Sequence, residues 1–132
     1  QLPFNILDNI NLRGEIIRKA NENGVEVHTR STFLQGLIFK NSNDLSSSLK
    51  PIKPYLDSIK CISKNYNITI QDLALKYVLS QKKINNILIG VETLEQLEMN
   101  FNSTLNNLSQ ETINEINRIN IKDVRLLNPS NW

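Results

Sequence analysis

The stretch Ile87-Leu88-Ile89-Gly90-Val91-Glu92-Thr93-Leu94-Glu95-Gln96-Leu97-Glu98-Met99-Asn100 decides the fold of this chain. A short apolar run, too brief for a helix, ends at Gly90. Thr93 then opens a segment with Leu94, Leu97 and Phe101 on one face. This pattern predicts a buried parallel strand, a tight turn and the start of a helix. Thr93 and Gln96 have capping-box spacing, in which the hydroxyl accepts the backbone N–H of Gln96 and the Gln96 amide reaches back.

The turn between Gly90 and Thr93 is a candidate anion site. Uncovered backbone N–H groups and the positive end of a helix dipole meet at such a turn, and phosphate is the usual ligand. Many strand–turn–helix units look the same and bind nothing. Taken alone, the stretch therefore leaves the empty turn as an equally good interpretation.

Size and composition limit the class of protein. The 132 residues are enough for one domain at most. A net charge of +2 on a mixed background gives no basis for binding nucleic acid or an anionic membrane surface. Cys61 is the only cysteine, which excludes an internal disulfide and fits a reducing compartment. No apolar run approaches the ~20 residues of a membrane span and no signal peptide is recognisable, so we expect a cytoplasmic protein.

Strands and helices are predicted to alternate along the chain. Strands are expected over residues 1–7, 25–30 and 87–89, and an ordered loop without regular structure over 31–39. Three caps are expected at Thr69, Thr93 and Ser109. The apolar faces of the other four helices are predicted to comprise Leu12, Ile16, Ile17 and Ala20; Tyr55, Ile59 and Ile62; Ile70, Leu73, Ala74, Tyr77 and Val78; and Ile113, Ile116 and Ile119.

The alternation predicts an α/β fold with a parallel sheet. Three parallel strands leave two open edges and little apolar area for the helices to cover. The chain also lacks an initiator Met and begins directly on its first predicted strand. We therefore expect residues 1–132 to be a single partial domain, with more strands upstream or on a partner.

Ligands of parallel α/β folds gather at the carboxyl ends of the strands. Asp8, Arg30-Ser31 and Gly90-Val91-Glu92 fall there. The Arg30 guanidinium can pair with phosphate or stack on a ring, although a surface ion pair with Asp8 or Glu92 is the simpler interpretation. Ser31 can donate to a phosphate or only end its strand.

No catalytic or metal-ligating set emerges from the residues themselves. His28 is the only histidine, which excludes a multi-histidine metal site, and its position within a predicted strand favours a wall residue over a catalytic one. We expect Cys61 to be a buried, inert thiol. Glu95 and Glu98 are expected on a solvated helix face, and Gln96 is better explained by its capping box than by a ligand.

Three blocks of the sequence resemble the aldo/keto reductases, which are (β/α)8 TIM barrels that reduce carbonyls with NADPH or NADH. The blocks are Gln1-Leu2-Pro3-Phe4-Asn5-Ile6-Leu7-Asp8, Arg30-Ser31-Thr32-Phe33-Leu34-Gln35-Gly36-Leu37 and Ile89 to Asn100. They occur in the family's order and at fitting separations, and 69–81 is also similar. The resemblance covers the C-terminal half of the barrel, strands 6–8 with their helices plus a C-terminal helix.

The resemblance implies a role for several residues in cofactor binding. Gln1 matches the glutamine that hydrogen-bonds the nicotinamide carboxamide. Arg30 lies where many members place an aromatic ring that stacks on the nicotinamide, so arginine is a departure. The loop that lines the pyrophosphate is matched by Ser31, Phe33 and Gly36.

The third block matches the adenosine end of the cofactor site. Gly90, Val91 and Glu92 match the turn at the adenosine phosphate, and Gln96 and Asn100 lie beside the phosphate and adenine. Members that prefer NADPH often carry a basic residue in or after this turn, whereas this chain has Glu92, and Met99 replaces a position that is often acidic. A carboxylate would repel a 2′-phosphate and can accept a bond from a ribose hydroxyl, so we predict that a full-length parent tolerates NADH.

The family's catalytic Tyr, Asp, Lys and His lie on the first four strands, which have no counterpart here. Tyr55, Tyr66 and Tyr77 are expected to be helix residues that face the core. The resemblance thus implies the cofactor-binding portion of an NAD(P)H-dependent oxidoreductase acting on a small aldehyde or ketone, with no catalytic acid of its own. This chain alone is expected to be inactive and to bind nucleotide weakly or not at all.

Two alternatives remain open. The chain can be a half-barrel that assembles with itself or another chain and serves as a binding or regulatory module without turnover. It can also be a nonfunctional truncated remnant. In either case the exposed strand edges favour self-association.

Overall fold

Three short parallel strands form one sheet in the computed structural model, which describes residues 1–132. The strands are β1 (Leu2–Pro3), β2 (His28–Arg30) and β3 (Asn86–Ile87), in that order across the sheet. Leu2 lies opposite Thr29, and Thr29 lies opposite Ile87. The predicted α/β class with a small parallel sheet is confirmed.

Five α-helices accompany the sheet. They are α1 (Ile10–Glu22), α2 (Lys53–Asn65), α3 (Ile70–Leu79), α4 (Leu94–Ser103) and α5 (Gln110–Asn117). Short 3-10 segments span Leu34–Phe39, Lys50–Ile52, Val124–Leu127 and Pro129–Asn131. The loop predicted over 31–39 thus contains 3-10 turns, interrupted at Gln35 and Gly36 where the backbone is left-handed. No helix has the length and apolar character that crossing a membrane requires.

The strands are shorter than the sequence suggests, because side chains satisfy the backbone at their ends. The strand predicted over 1–7 ends at Pro3, and Asn5 Oδ1 then accepts the backbone N–H groups of Leu7 (2.9 Å) and Asp8 (2.8 Å), which turns the chain. At the start of the strand predicted over 25–30, the N–H of Val27 donates to Asn85 Oδ1 (2.8 Å) instead of a neighbouring strand. The length of each strand is therefore set by hydrogen bonds from nearby polar side chains, which the alternation of apolar and polar residues does not reveal.

The predicted helix caps are confirmed. Thr69 Oγ1 accepts from the N–H of Asp72 (3.1 Å), and Ser109 Oγ accepts from that of Thr112 (3.1 Å). Asn23 ends α1, and Gly24 follows at a φ of 69°. These motifs are local in sequence and depend little on tertiary contacts.

The core lies between the sheet and helices α2, α3 and α5. At its centre the rings of Phe4 and Tyr77 stack with centroids 5.8 Å apart and planes 6° apart. Both side chains are fully buried, as are Ile59 of α2 and Ile116 of α5. The apolar face predicted for α3 is confirmed, since Leu73, Ala74, Tyr77 and Val78 are all buried.

Two helices present different faces to the core than predicted. In α1, Ile16 is 56% exposed because the helix packs through Ile17, and adjacent helix positions point about 100° apart. In α4, Leu94, Leu97 and Phe101 are 66%, 49% and 67% exposed. We call these three residues the apolar stripe of α4.

The inward face of α4 is polar because α3 offers polar partners. Asn100 and Ser103 are the buried residues of α4. Asn100 Oδ1 accepts from Gln71 Nε2 (2.9 Å), and the Ser103 hydroxyl donates to the Asp72 carboxylate. These bonds hold α4 on α3 and leave its apolar stripe in solvent.

Candidate functional site

An open cleft of about 700 Å³ lies between the loop that follows β2 and the segment that joins β3 to α4. One wall is formed by residues 31–36 and Phe39, and the other by residues 88–92 and by Gln96, Met99 and Asn100 of α4. Gln71 of α3 completes the lining. The cleft is therefore at the carboxyl ends of β2 and β3, where parallel α/β folds bind ligands.

The wall after β2 has an unusual backbone. Ser31, Leu34 and Gln35 have positive φ values of 65°, 47° and 50°, and Gly36 follows at 77°. Such values are uncommon for residues other than glycine, and each costs on the order of 1–3 kcal/mol unless the surroundings enforce it. Backbone bonds from Leu34 N–H to Ser31 (2.9 Å) and from Gly36 N–H to Phe33 (2.9 Å) hold the loop in this shape. Strained backbone of this kind is frequent at binding loops.

On the opposite wall, side chains at the start of α4 accept hydrogen bonds from backbone N–H groups of the same segment. Thr93 Oγ1 accepts the N–H of Gln96 (3.2 Å), and Gln96 Oε1 accepts the N–H of Glu92 (2.9 Å). The capping box is thus confirmed, with its return bond one residue before the cap. Hydrogen bonding from its own backbone N–H, and then from the Thr93 hydroxyl, lowers the pKa of the Glu95 carboxyl. The N–H groups of Glu92 and Gln96 were expected to be uncovered at this turn. In the structure both are hydrogen-bonded within the chain.

Two polar side chains of the cleft are buried. Asn100 is 3% exposed, and its side-chain oxygen accepts a hydrogen bond from Gln71 Nε2. Thr32 is 2% exposed, and its hydroxyl has no hydrogen-bond partner. Buried polar groups are nearly always hydrogen-bonded in folded proteins, so an orphaned hydroxyl in a cleft wall indicates a ligand or a water.

A second cavity, of about 340 Å³, adjoins the cleft and shares Ser31, Leu34 and Gln35 with it. Arg30 and Arg13 line this second cavity. The expected ion pair of Arg30 with Asp8 or Glu92 is wrong, because Arg30 Nη1 donates to Ser31 Oγ (3.2 Å).

Asp8 has its own cation. Its carboxylate is 2% exposed and accepts two bonds from Arg13, at 2.6 and 2.7 Å. Arg13 lies five residues along the chain and reaches Asp8 from the first turn of α1.

Eight of the ten predicted cofactor-binding residues line the one cleft. They are Ser31, Phe33, Gly36, Gly90, Val91, Glu92, Gln96 and Asn100. Arg30 lines the adjoining cavity, and Gln1 is exposed and lines neither.

The sequence analysis missed the other eight lining residues. They are Thr32, Leu34, Gln35, Phe39, Gln71, Leu88, Ile89 and Met99. Loop residues 32–35 could have been included from their position inside the second block. Nothing in the sequence points to Gln71, since its place at the cleft depends on how α4 docks on α3.

Cys61 is exposed, which corrects the expectation of a buried thiol. It lies on the outer side of α2, where its sulfur contacts Asn65 Nδ2 at 3.7 Å. His28 is also remote from the cleft lining and contacts Asn86 at the opposite end of β3 (3.0 Å). Neither side chain contributes to the candidate site.

The model of the Aldo/keto reductase family matches residues 1–121. The chain belongs to the aldo/keto reductase family. A solved structure of a thermostable aldo-keto reductase, Tm1743, in complex with the inhibitor epalrestat is similar to it, with a TM-score of 0.63 and 23% sequence identity. The match covers 89% of this chain and 38% of that one, so this aldo/keto reductase sequence spans well under half the length of its solved relative. None of the curated proteins matches the sequence.

Proposed function

We propose that this aldo/keto reductase chain forms the carboxyl-terminal half of a (β/α)8 barrel, with β1, β2 and β3 as strands 6–8. Residues 1–132 are then one partial domain. Two features support this assignment. The sheet has three strands in sequence order and an open edge on either side, whereas a barrel strand has a neighbour on both sides. The solved relative is also much longer than the match.

In this proposal the cleft holds part of an NAD(P) cofactor. Ser31, Phe33 and Gly36 border the pyrophosphate, while the Gly90–Glu92 turn and Asn100 border the adenosine. Arg30 and Gln1 act at the nicotinamide end, outside the cleft that this chain completes. The observation that carries the proposal is that eight predicted residues from two separate segments, 31–36 and 90–100, line a single cavity.

The lining fits such a ligand. A volume of about 700 Å³ lies within the range of about 300–1,000 Å³ typical of small-molecule sites. The Thr32 hydroxyl is a buried polar group that lacks a partner. A Cβ at Gly36 or Gly90 would meet nothing within 4 Å, so the backbone at both positions is open to a ligand.

Bound reduced nicotinamide supplies the hydride that converts an aldehyde or ketone to an alcohol. The residues of this chain bind and orient the cofactor, and they supply no acid for the carbonyl oxygen. Glu92 is the only ionisable residue lining the cleft. Tyr77 is buried and donates to Asn117 Oδ1 (2.7 Å), so its hydroxyl is committed to the core.

NADH titration followed by amide chemical shifts tests the proposal. Weak binding is expected because the rest of the barrel is not present to hold the loops together, so millimolar ligand is required. Shifts are expected at Ser31, Gly36, Gly90 and Asn100, and none at Cys61 on α2, which serves as the internal control. An absence of saturable shifts at the cleft, or shifts centred on α2, would contradict the proposal.

One observation favours a second function, that of a half-barrel that assembles with another polypeptide. The apolar stripe of α4 is exposed, and β3 next to it has a free edge. An uncovered strand edge beside exposed apolar side chains is a typical site of association. The two functions are compatible, since assembly can complete the cofactor site.

A further inference from the structure

We propose that the carbonyl substrate of this site is a short-chain oxo-carboxylate, and that Arg30 binds its carboxylate in the second cavity. This inference rests on the function proposed above and names the substrate class that would meet the cofactor. The observations that carry it come from the second cavity and not from the cleft that borders the pyrophosphate and adenosine.

The first observation is the charge of the second cavity. Of the 11 residues that line it, only Asp8, Arg13 and Arg30 are ionisable, so two arginines and one aspartate give it a formal charge of +1. Asp8 accepts its two hydrogen bonds from Nε and Nη2 of Arg13. No ion pair of the protein includes Arg30. A guanidinium binds a carboxylate through two parallel hydrogen bonds, so a ligand carboxylate supplies Arg30 with the partner that the chain does not.

The second observation is the position of Arg30 between the two cavities. Its backbone oxygen accepts the N–H of Phe4 (3.0 Å), so the end of β2 is fixed against the chain that follows β1. Its Nη1 donates to Ser31 Oγ (3.2 Å), and Ser31 lines both the second cavity and the cleft. The side chain of Arg30 therefore lies beside the place where a ligand in the cleft and a ligand in the second cavity would meet.

The third observation is the size and polarity of the rest of the lining. The volume of about 340 Å³ is at the lower end of the range of about 300–1,000 Å³ that is typical of small-molecule sites. Five of the eight uncharged lining residues are apolar, and three of these five belong to the C-terminal 3-10 segments: Pro3, Leu34, Val124, Leu127 and Pro129. A small ligand with one charged end and a short hydrocarbon body matches both the charge and the size of this cavity.

The test titrates the full 132-residue chain with 4-oxopentanoate and with pentan-2-one, and follows amide chemical shifts at matched ionic strength. The two probes have the same carbon chain and ketone, and only the first has a carboxylate. We expect saturable shifts at Arg30, Gln35 and Asn128, and about tenfold tighter binding of 4-oxopentanoate, because hydrogen bonds between charged groups are the stronger kind.

Two variants assign the preference to one side chain. Arg30→Gln is expected to remove the difference between the probes, and since Arg30 is exposed the fold should be unaffected. Arg18→Gln is the matched control, because Arg18 pairs with Glu22 on α1 and lies outside the cavity lining. It is expected to leave the difference unchanged. Arg13 is kept in both variants, since the buried Asp8 carboxylate depends on it.

The outcomes separate this inference from the dinucleotide site. Equal binding of the two probes, or an equal loss in Arg18→Gln, overturns the role of Arg30. Shifts of the same amides by inorganic pyrophosphate but not by 4-oxopentanoate also overturn it, because Arg30 would then bind a cofactor phosphate. In each of these cases, shifts of Gly36 and Gly90 by NADH leave the dinucleotide site standing. An absence of NADH shifts in the cleft contradicts that site, and with it the assignment of the oxo-carboxylate as a substrate.

Discussion

At the residue scale, the buried ion pair of Asp8 and Arg13 fixes the start of the chain. The Asp8 carboxylate is 2% exposed, and its backbone N–H donates to Asn5 Oδ1, so the turn after β1 and the first turn of α1 are joined. A buried carboxylate is tolerated only with a partner. The pair therefore positions the chain between β1 and α1, beneath the cavity that Arg30 lines.

Arg13→Met should destabilise the protein strongly, because it leaves the Asp8 carboxylate buried and unpaired. The expected loss is about 3 kcal/mol in the free energy of unfolding, measured by urea denaturation. Arg18→Met is the matched control, since Arg18 pairs with Glu22 in solvent and such exposed pairs contribute about 0–1 kcal/mol. Equal losses in the two variants would show that Asp8 does not depend on Arg13.

Tyr77 should make stability fall at alkaline pH. Burial raises its pKa to about 12, against a hydrogen bond from Ile10 N–H that lowers it. The folded protein thus holds this proton more tightly than the unfolded chain, whose tyrosine titrates near a pH of about 10. Stability from this group is intact below about pH 10 and declines by about 2–3 kcal/mol between about pH 10 and 12.

The measurement is urea unfolding across that pH range for the natural chain and Tyr77→Phe. The variant lacks the titrating hydroxyl, so its stability should decline less steeply over the same interval. Other alkaline groups titrate in both proteins and cancel in the difference. Parallel curves would show that Tyr77 ionises in the folded state as easily as in the unfolded chain.

At the element scale, α4 is the helix whose orientation differs most from the one that its sequence pattern predicts. Its apolar stripe is in solvent and its polar face is on α3. A surface helix of a globular protein normally buries its apolar face. We interpret the exposed stripe as a surface that another polypeptide covers.

The isolated chain should self-associate through this stripe. Leu97→Glu combined with Phe101→Glu is expected to shift sedimentation toward the monomer, because both substitutions place charge on the apolar contact. Ile16→Glu is the control, since Ile16 is 56% exposed but lies on α1. A chain that is already monomeric at high concentration, or one that responds equally to the control, would contradict the prediction.

The elements also show which features can be predicted from sequence. The caps at Thr69, Thr93 and Ser109 follow from neighbouring residues, and so they were predictable. The face that α4 buries was not predictable from its own sequence. It depends on Gln71 and Asp72 of α3, which hydrogen-bond the polar side of α4. The cleft was predictable where the second and third blocks of the family resemblance supplied its residues, whereas Gln71 and the unpartnered hydroxyl of Thr32 required the tertiary structure.

At the scale of the whole molecule, a three-stranded parallel sheet with two open edges supports the cleft. The cleft is lined by the loop after β2, the segment that joins β3 to α4, and residues of α3 and α4, and no tyrosine lines it. Hydride transfer to a carbonyl also needs an acid near the carbonyl oxygen. We therefore expect the residues that line the cleft to contact a cofactor without supplying this acid.

The chain alone should show no NADH- or NADPH-dependent reduction of a simple aldehyde. Consumption of the reduced cofactor, followed by its absorbance, is expected to match a sample without protein. Glu92→Arg, which reverses the charge of the only ionisable residue in the cleft lining, is expected to leave this rate at background as well. Turnover above background that survives repurification would show that this chain supplies its own acid.

The polar contact between α3 and α4 affects how easily α4 detaches from the rest of the protein. A helix held mainly by the Gln71–Asn100 and Asp72–Ser103 bonds gives up little apolar contact when it detaches. Its amides should therefore exchange with solvent through local opening, well before those of α3. Asn100 and Gln96 line the cleft and belong to that same helix. When α4 detaches from α3, the cleft therefore loses part of its wall. A ligand that contacts Asn100 and Gln96 binds the state in which α4 is docked on α3. Its affinity therefore depends on how much of the protein is in that state, and binding in turn increases that fraction.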